Sequence, residues 1–199
     1  MSTGVIFFLM PDSIPTEVLI TPLIQGSEFL HWKSLNDTIM GGSSRANCRS
    51  TDKGLFLEGN LIEEGGGFVS CRSPIFSKPF DLSNYSGLII DVEGEGRTLK
   101  FAIACEKKTF SLSNLLKGDI RWVASIPTKK EGVSRIKIPF KDLEPARRAK
   151  PVRLPLRFDA SCINRFQVLH SKFGQPGKMN SGFSSGPIKL LIKSISAYS

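Results

Sequence analysis

Residues 32–45 read WKSLNDTIMGGSSR, and the reading of this stretch decides the fold. If Gly41-Gly42 cradles a phosphate, a helix should begin there and the chain is α/β. If the pair is a turn, a strand should follow and the chain is β. A phosphate loop ends in Gly-Lys-Ser/Thr at a helix start, because the helix N-terminus and the lysine neutralise the anion. Here Ser43-Ser44-Arg45 follows, without a lysine. The other glycine clusters agree. EEGGGFV at 63–69 runs into β-type residues, and GEGR at 94–97 lies between two apolar strand-like stretches. All three are turns or bulges, where glycine permits positive φ or close backbone approach.

Working outward, strand signals recur on both sides. GLFLEGNL at 54–61 alternates, and GGFVSCRS at 66–73 follows a glycine run. Residues 86–106 predict two apolar strands joined by a turn at Glu93–Gly96. RWVASIP at 121–127 and VSRIKIPF at 133–140 predict a second pair, linked by 129–132. INRFQVLH at 163–170 and PIKLLIKSISAY at 187–198 are closing strands, and the Gly/Ser-rich stretch between them forms no element. Pro11, Pro15 and Pro22 forbid a long helix before Trp32, so residues 1–28 predict an extended arm and 29–199 a single domain. Eight to ten short strands without a helix above two turns predict an all-β sandwich or barrel.

Composition fits a folded domain. The 199 residues are 40% hydrophobic, with 14 Phe, 18 Gly and 12 Pro. No window holds the roughly 20 apolar residues of a membrane span. The early apolar run Val5–Met10 is closed by Pro11 and lacks a basic start, so the expectation is a cytosolic or equivalent soluble compartment, such as stroma or matrix. Cys48, Cys71, Cys105 and Cys162 form no C-x-x-C pair and only two histidines exist, which argues against a zinc site. Reduced, mostly buried thiols are expected.

The net charge of +9 is unevenly placed. Residues 1–134 carry 14 Lys/Arg against 15 Asp/Glu, whereas 135–199 carry 13 against 3. Arg147, Arg148, Lys150, Arg153 and Arg157 are the densest cluster and the candidate partner surface, suited to an acidic protein, an anionic membrane surface or RNA. RNA binding would add aromatic stacking platforms, and the nearby Phe158 and Phe166 are expected to face the core.

Catalytic constellations are weak. A Ser or Cys nucleophile needs a histidine oriented by a third group. His31 beside Trp32 is expected to pack or cap, and His170 ends a strand. Asp37, Glu63, Glu64, Asp91 and Glu93 are available as paired carboxylates, with nothing in the sequence to place two across a cleft. Asn36-Asp37 has the oxygen chemistry for calcium at a sandwich rim. The favoured reading is an Asx-type turn, with both side chains bonding local backbone amides. No enzyme activity, cofactor or small-molecule substrate is expected.

Several ordered motifs together resemble one family. Trp32, Asn36, Asp37, Met40, Gly41, Gly42 and Ser44 are similar to the opening signature of the complex I intermediate-associated protein 30 family. GGFVSCR (66–72), DLSNYSGLIIDVEGEGRTLKFAI (81–103), IKIPFKDLEPARRA (136–149) and the closing IKSISAY are similar to its later segments. The chain departs from the pattern at Val133, Leu99 and Ala149, where Trp, Tyr and Gly are common in the family. The resemblance implies a galactose-binding-like jelly-roll β-sandwich. It also implies a non-catalytic assembly factor that binds a subunit or assembly intermediate of a membrane redox or photosynthetic complex. A carbohydrate-binding module of the same fold and an RNA-binding expression factor are the competing functions. The signature residues would then line a binding rim, or shape the turn that starts the sandwich.

Overall fold

The computed structural model describes residues 18–105, 120–147 and 149–199. Two antiparallel sheets pack face to face. The first contains β1 (Ile20–Gln25), β3 (Arg45–Thr51), β4 (Gly54–Leu61), β6 (Gly87–Glu93), β9 (Ser134–Pro139) and β13 (Gly186–Tyr198). Its order is β3-β4-β13-β6-β9. The long β13 pairs with β4 through its first half and with β1 through its second, while β6 lies along the other side. The second sheet contains β2 (Lys33–Ser34), β5 (Phe68–Arg72), β7 (Thr98–Cys105), β8 (Arg121–Pro127), β10 (Glu144–Arg147), β11 (Lys150–Pro151) and β12 (Ile163–Ser171). Its order is β11-β10-β8-β7-β12-β5-β2. Four short 3-10 turns complete the described elements, and none is an α-helix. This is a jelly-roll β-sandwich.

Period-two alternation decides which residues meet between the sheets. Leu55, Leu57, Leu88, Ile90, Val92, Leu190, Ile192 and Ile195 point inward from the first sheet. Val69, Cys71, Leu99, Phe101, Ile103, Trp122, Ile126, Phe166 and Val168 point inward from the second. Phe166 is the hub of the aromatic core. Its ring lies 5.3 Å from Phe101, 5.4 Å from Phe76 and 5.9 Å from Phe80. Phe158 packs on Trp122 and Phe140 at the sandwich end.

Two expected hairpins are corrected. β6 and β7 follow one another in sequence but lie in opposite sheets, and so do β8 and β9. The stretches 94–97 and 128–133 are therefore crossings between sheets. They run side by side, with Gly96 N–H bonded to the Lys129 carbonyl and Thr128 N–H to that of Arg97. The strand β3, which carried no signal of its own, pairs with β4 as a true hairpin. Ile20–Gln25, part of the expected N-terminal arm, is extended and sits within the first sheet.

The cysteine expectation is also corrected. Cys48 on β3 and Cys71 on β5 form a disulfide between the two sheets, with Cα atoms 5.8 Å apart. The closed loop spans 23 positions, so chain entropy alone gives the crosslink about 3 kcal/mol. Denaturant unfolding with and without reductant should differ by that amount. A Cys48→Ser, Cys71→Ser double variant should then be insensitive to reductant.

Buried His170 adds a pH dependence. Its Nδ1 donates to the Thr98 carbonyl at 3.1 Å, and its Nε2 accepts from Ser184 N–H at 3.2 Å. Its ring stacks on Phe183. Both nitrogens are satisfied in the neutral form. Burial, helped by the nearby Arg97 charge, holds the imidazole below its ordinary 6.5. The unfolded chain therefore binds a proton that the folded one refuses, and stability falls as the pH drops below about 6.5. His170→Gln should flatten the melting temperature between pH 7 and 5 relative to wild type.

Candidate binding site

The signature turn is built around one carboxylate. Asp37 is fully buried at the start of a 3-10 turn, Asp37–Met40. Its Oδ1 accepts from Ser44 N–H at 2.9 Å. Its Oδ2 accepts from the Ser44 hydroxyl at 2.6 Å, Gly67 N–H at 2.7 Å and Phe68 N–H at 3.3 Å. The Ser44 hydroxyl oxygen in turn accepts from Ile62 N–H at 2.9 Å. Burial opposes ionisation of Asp37, but these donors outweigh it and hold the carboxyl below its ordinary 3.8. Gly42 and Gly66 are needed here because a Cβ on either would stand within 2.5 Å of the Asp37 carboxylate. The NDTIMGG and GGF motifs are thus two halves of one latch, which joins the first turn to the start of β5.

The remaining signature residues have separate places. Trp32 is in the core, edge-on to Phe29 at 5.3 Å. Asn36 donates to the Ala46 carbonyl at 2.9 Å. Gly41, with φ of 88°, terminates the 3-10 turn. Met40 alone projects to the surface as a large apolar side chain. The expected local Asx turn is therefore a long-range contact, since two of the Asp37 donors lie some thirty residues away. The five carboxylates weighed above do not converge. Asp91 pairs with Arg135 and Ser194 on the outer face of the first sheet, and Glu93 pairs with Lys193.

A groove of about 560 Å³ lies on the outer face of the second sheet. The register sets its floor. Ala102 on β7 stands beside Val123 on β8 and Gln167 on β12, and Lys100 stands beside Ser125 and Leu169. Ala146 and Ala149, from the hairpin of β10 and β11, form one wall. Ile39 and Met40 from the signature turn, together with Phe68, Phe173 and Pro176, form the other boundary. The lining is mostly apolar and, among the described residues, carries no carboxylate, imidazole or thiol. Its polar groups include Lys100, Arg121, Gln167 and Ser171.

Lys100 is only 8% exposed and has no hydrogen bond or ion pair among the described residues. Burial brings its ammonium down to about 8. It also borders a smaller cavity of about 190 Å³ lined by Lys137, Asp142 and Glu144, none of which pairs with it. This lysine was missed in the sequence, although it interrupts the otherwise apolar run Leu99–Ala104.

The expected basic cluster falls at the edge of the same sheet. Arg147 and Lys150 are exposed on the β10–β11 hairpin, and Arg153 and Arg157 are exposed on the segment after it. Arg148 lies outside the described residues. Cations and a proline on an outer strand also protect that edge from pairing with another chain. Among the described residues no group of His, Cys, Asp and Glu is placed to hold a metal ion, and no helix is long and apolar enough to cross a membrane.

The chain is a jelly-roll β-sandwich with a groove on one sheet face. The structure resembles the family 11 carbohydrate-binding module from Clostridium thermocellum in complex with a β-1,3-1,4-mixed-linked tetrasaccharide. That likeness has a TM-score of 0.59 at 18% identity, covering 89% of this chain and 94% of that one. It resembles equally the family 11 module of the cellulosomal cellulase Lic26A-Cel5E of the same organism. Here the TM-score is 0.60 at 16% identity, covering 92% and 95%. Likeness at this identity establishes the fold alone. No curated protein sequence matches the chain. The model of the family Complex I intermediate-associated protein 30 (CIA30) matches residues 23–192, nearly the whole chain. The chain belongs to that family.

Proposed function

We propose that the chain is a non-catalytic assembly or scaffolding factor, which binds a protein client during biogenesis of a membrane redox complex. The observation that carries this is the family match over 23–192, on a chain whose groove is mostly apolar among the described residues. Such a lining offers an apolar surface for binding a client. The basic edge beside it favours an acidic client.

Carbohydrate binding is the second reading, favoured by the fold shared with the two modules. It ranks lower because, among the described residues, the groove presents Phe68 and Phe173 as its aromatic rings. The test is affinity capture with the tagged chain from gently solubilised host membranes, with and without RNase. Recovery of subunits of one membrane complex, unchanged by RNase and weakened by reversing Arg147, is expected. Recovery of ribosomal proteins and RNA alone, abolished by RNase, would replace this reading with an RNA-binding one.

A further inference from the structure

We propose that the groove on the outer face of the seven-stranded sheet takes an extended apolar peptide segment of the client, and that one carboxylate of this segment pairs with Lys100. The inference deepens the client-binding reading and rests on it. A cation taken out of water is costly unless an anion or hydrogen-bond acceptors meet it. Lys100 is 8% exposed, faces the groove and has no such partner among the described residues. A carboxylate entering the groove offsets part of that cost.

Charge complementarity points the same way. Among the described residues, Lys100 and Arg121 are the charged groups of the groove lining, and Lys100 is the buried one without a partner there. Exposed Arg147 and Lys150 continue the positive charge along the adjoining hairpin. Lys100 stands between Leu169 and Ser125 in the sheet, and the floor one step along the strand is small and apolar, with Ala102 opposite Val123. This is a surface for alternate apolar side chains rather than for a polar ligand.

The rim selects a peptide over a free acyl chain. Ile39, Met40 and Phe173 stand at the boundary with exposures of 63%, 67% and 43%. An open groove with such a rim covers one face of a segment that continues into a larger body. A free fatty acid there would leave much of its length in water. Methionine at the rim adapts to varied apolar partners.

The test is selection of peptides from a random dodecamer display library against the full chain, followed by affinity measurements on the recovered peptides. They should carry Glu, Asp or a terminal carboxylate among apolar residues. Changing that acid to its amide, or Lys100→Met in the protein, should weaken binding by about 30-fold or more, as expected when one partner of a buried charge pair is removed. The Lys100→Met protein should at the same time melt higher than wild type, a combination that a merely structural lysine would not give. Met40→Glu, on an exposed rim position that leaves folding intact, should weaken the same peptides.

Enrichment of peptides without an acid, equal binding to Lys100→Met, or no enrichment at all would overturn the inference. So would Lys100-dependent binding of sodium laurate without peptide binding. Membrane-complex subunits captured equally by wild type and by Ala102→Trp would remove the groove from the account and leave the assembly-factor reading intact. Acid-bearing peptides that need Lys100, together with a membrane capture that recovers no subunits, would do the reverse.

Discussion

Asp37→Ala will lower stability by about 4 kcal/mol, and the melting temperature by roughly 10 °C for a chain of this size. The substitution leaves the buried N–H groups of Ser44, Gly67 and Phe68 without an acceptor. Each unsatisfied buried donor costs about 1–3 kcal/mol. Calorimetry on the purified variant measures this directly. Ser44→Ala should cost less, about 1–2 kcal/mol, because the carboxylate keeps its three backbone donors. The pH dependence follows from the same geometry. The Asp37 carboxyl is held below its ordinary 3.8, so its contribution is complete above that value and is lost as the pH falls through it toward the lower folded-state value. The wild type should therefore lose stability more steeply below about pH 4 than Asp37→Ala does.

Phe166→Ala will cost a similar amount, about 4 kcal/mol, by opening a cavity among Phe76, Phe80 and Phe101. Phe166 is fully buried, and its carbonyl also accepts from Ser73 N–H at 2.9 Å, where the chain leaving β5 continues alongside β12. Phe166→Leu keeps most of the volume and should cost less than half as much. Urea unfolding of the two variants, with equal slopes and shifted midpoints, gives the comparison.

How much of this was legible in the sequence depends on the range of the interaction. Alternation in 54–61, 163–170 and 187–198 placed β4, β12 and β13 within a residue of their bounds, because facing is a local property. Partner choice is not local. The turn at Glu93–Gly96 has the composition of a hairpin, yet the chain leaves β6 there and enters the other sheet. The disulfide was hidden for the same reason, since Cys48 and Cys71 lie on strands of different sheets.

The latch shows the split within one motif. Asn36-Asp37 followed by two glycines was legible as a tight turn. That the second glycine faces the Asp37 carboxylate, and that Gly66 faces it from 29 residues away, depends on packing. The groove was the least legible feature. Its floor is assembled from single outward residues of separate strands, each an ordinary alanine, valine or leucine. Only Lys100, a charge within an apolar run, marked the place.

The central claim is that the family signature shapes the fold, while binding belongs to the groove face. The most direct measurement sets melting temperature and client capture side by side for Asp37→Asn, with capture assayed well below the variant's melting point. The account predicts a lowered melting temperature and unchanged capture per folded molecule. A variant that melts like wild type yet captures nothing would contradict it and make Asp37 itself a binding residue.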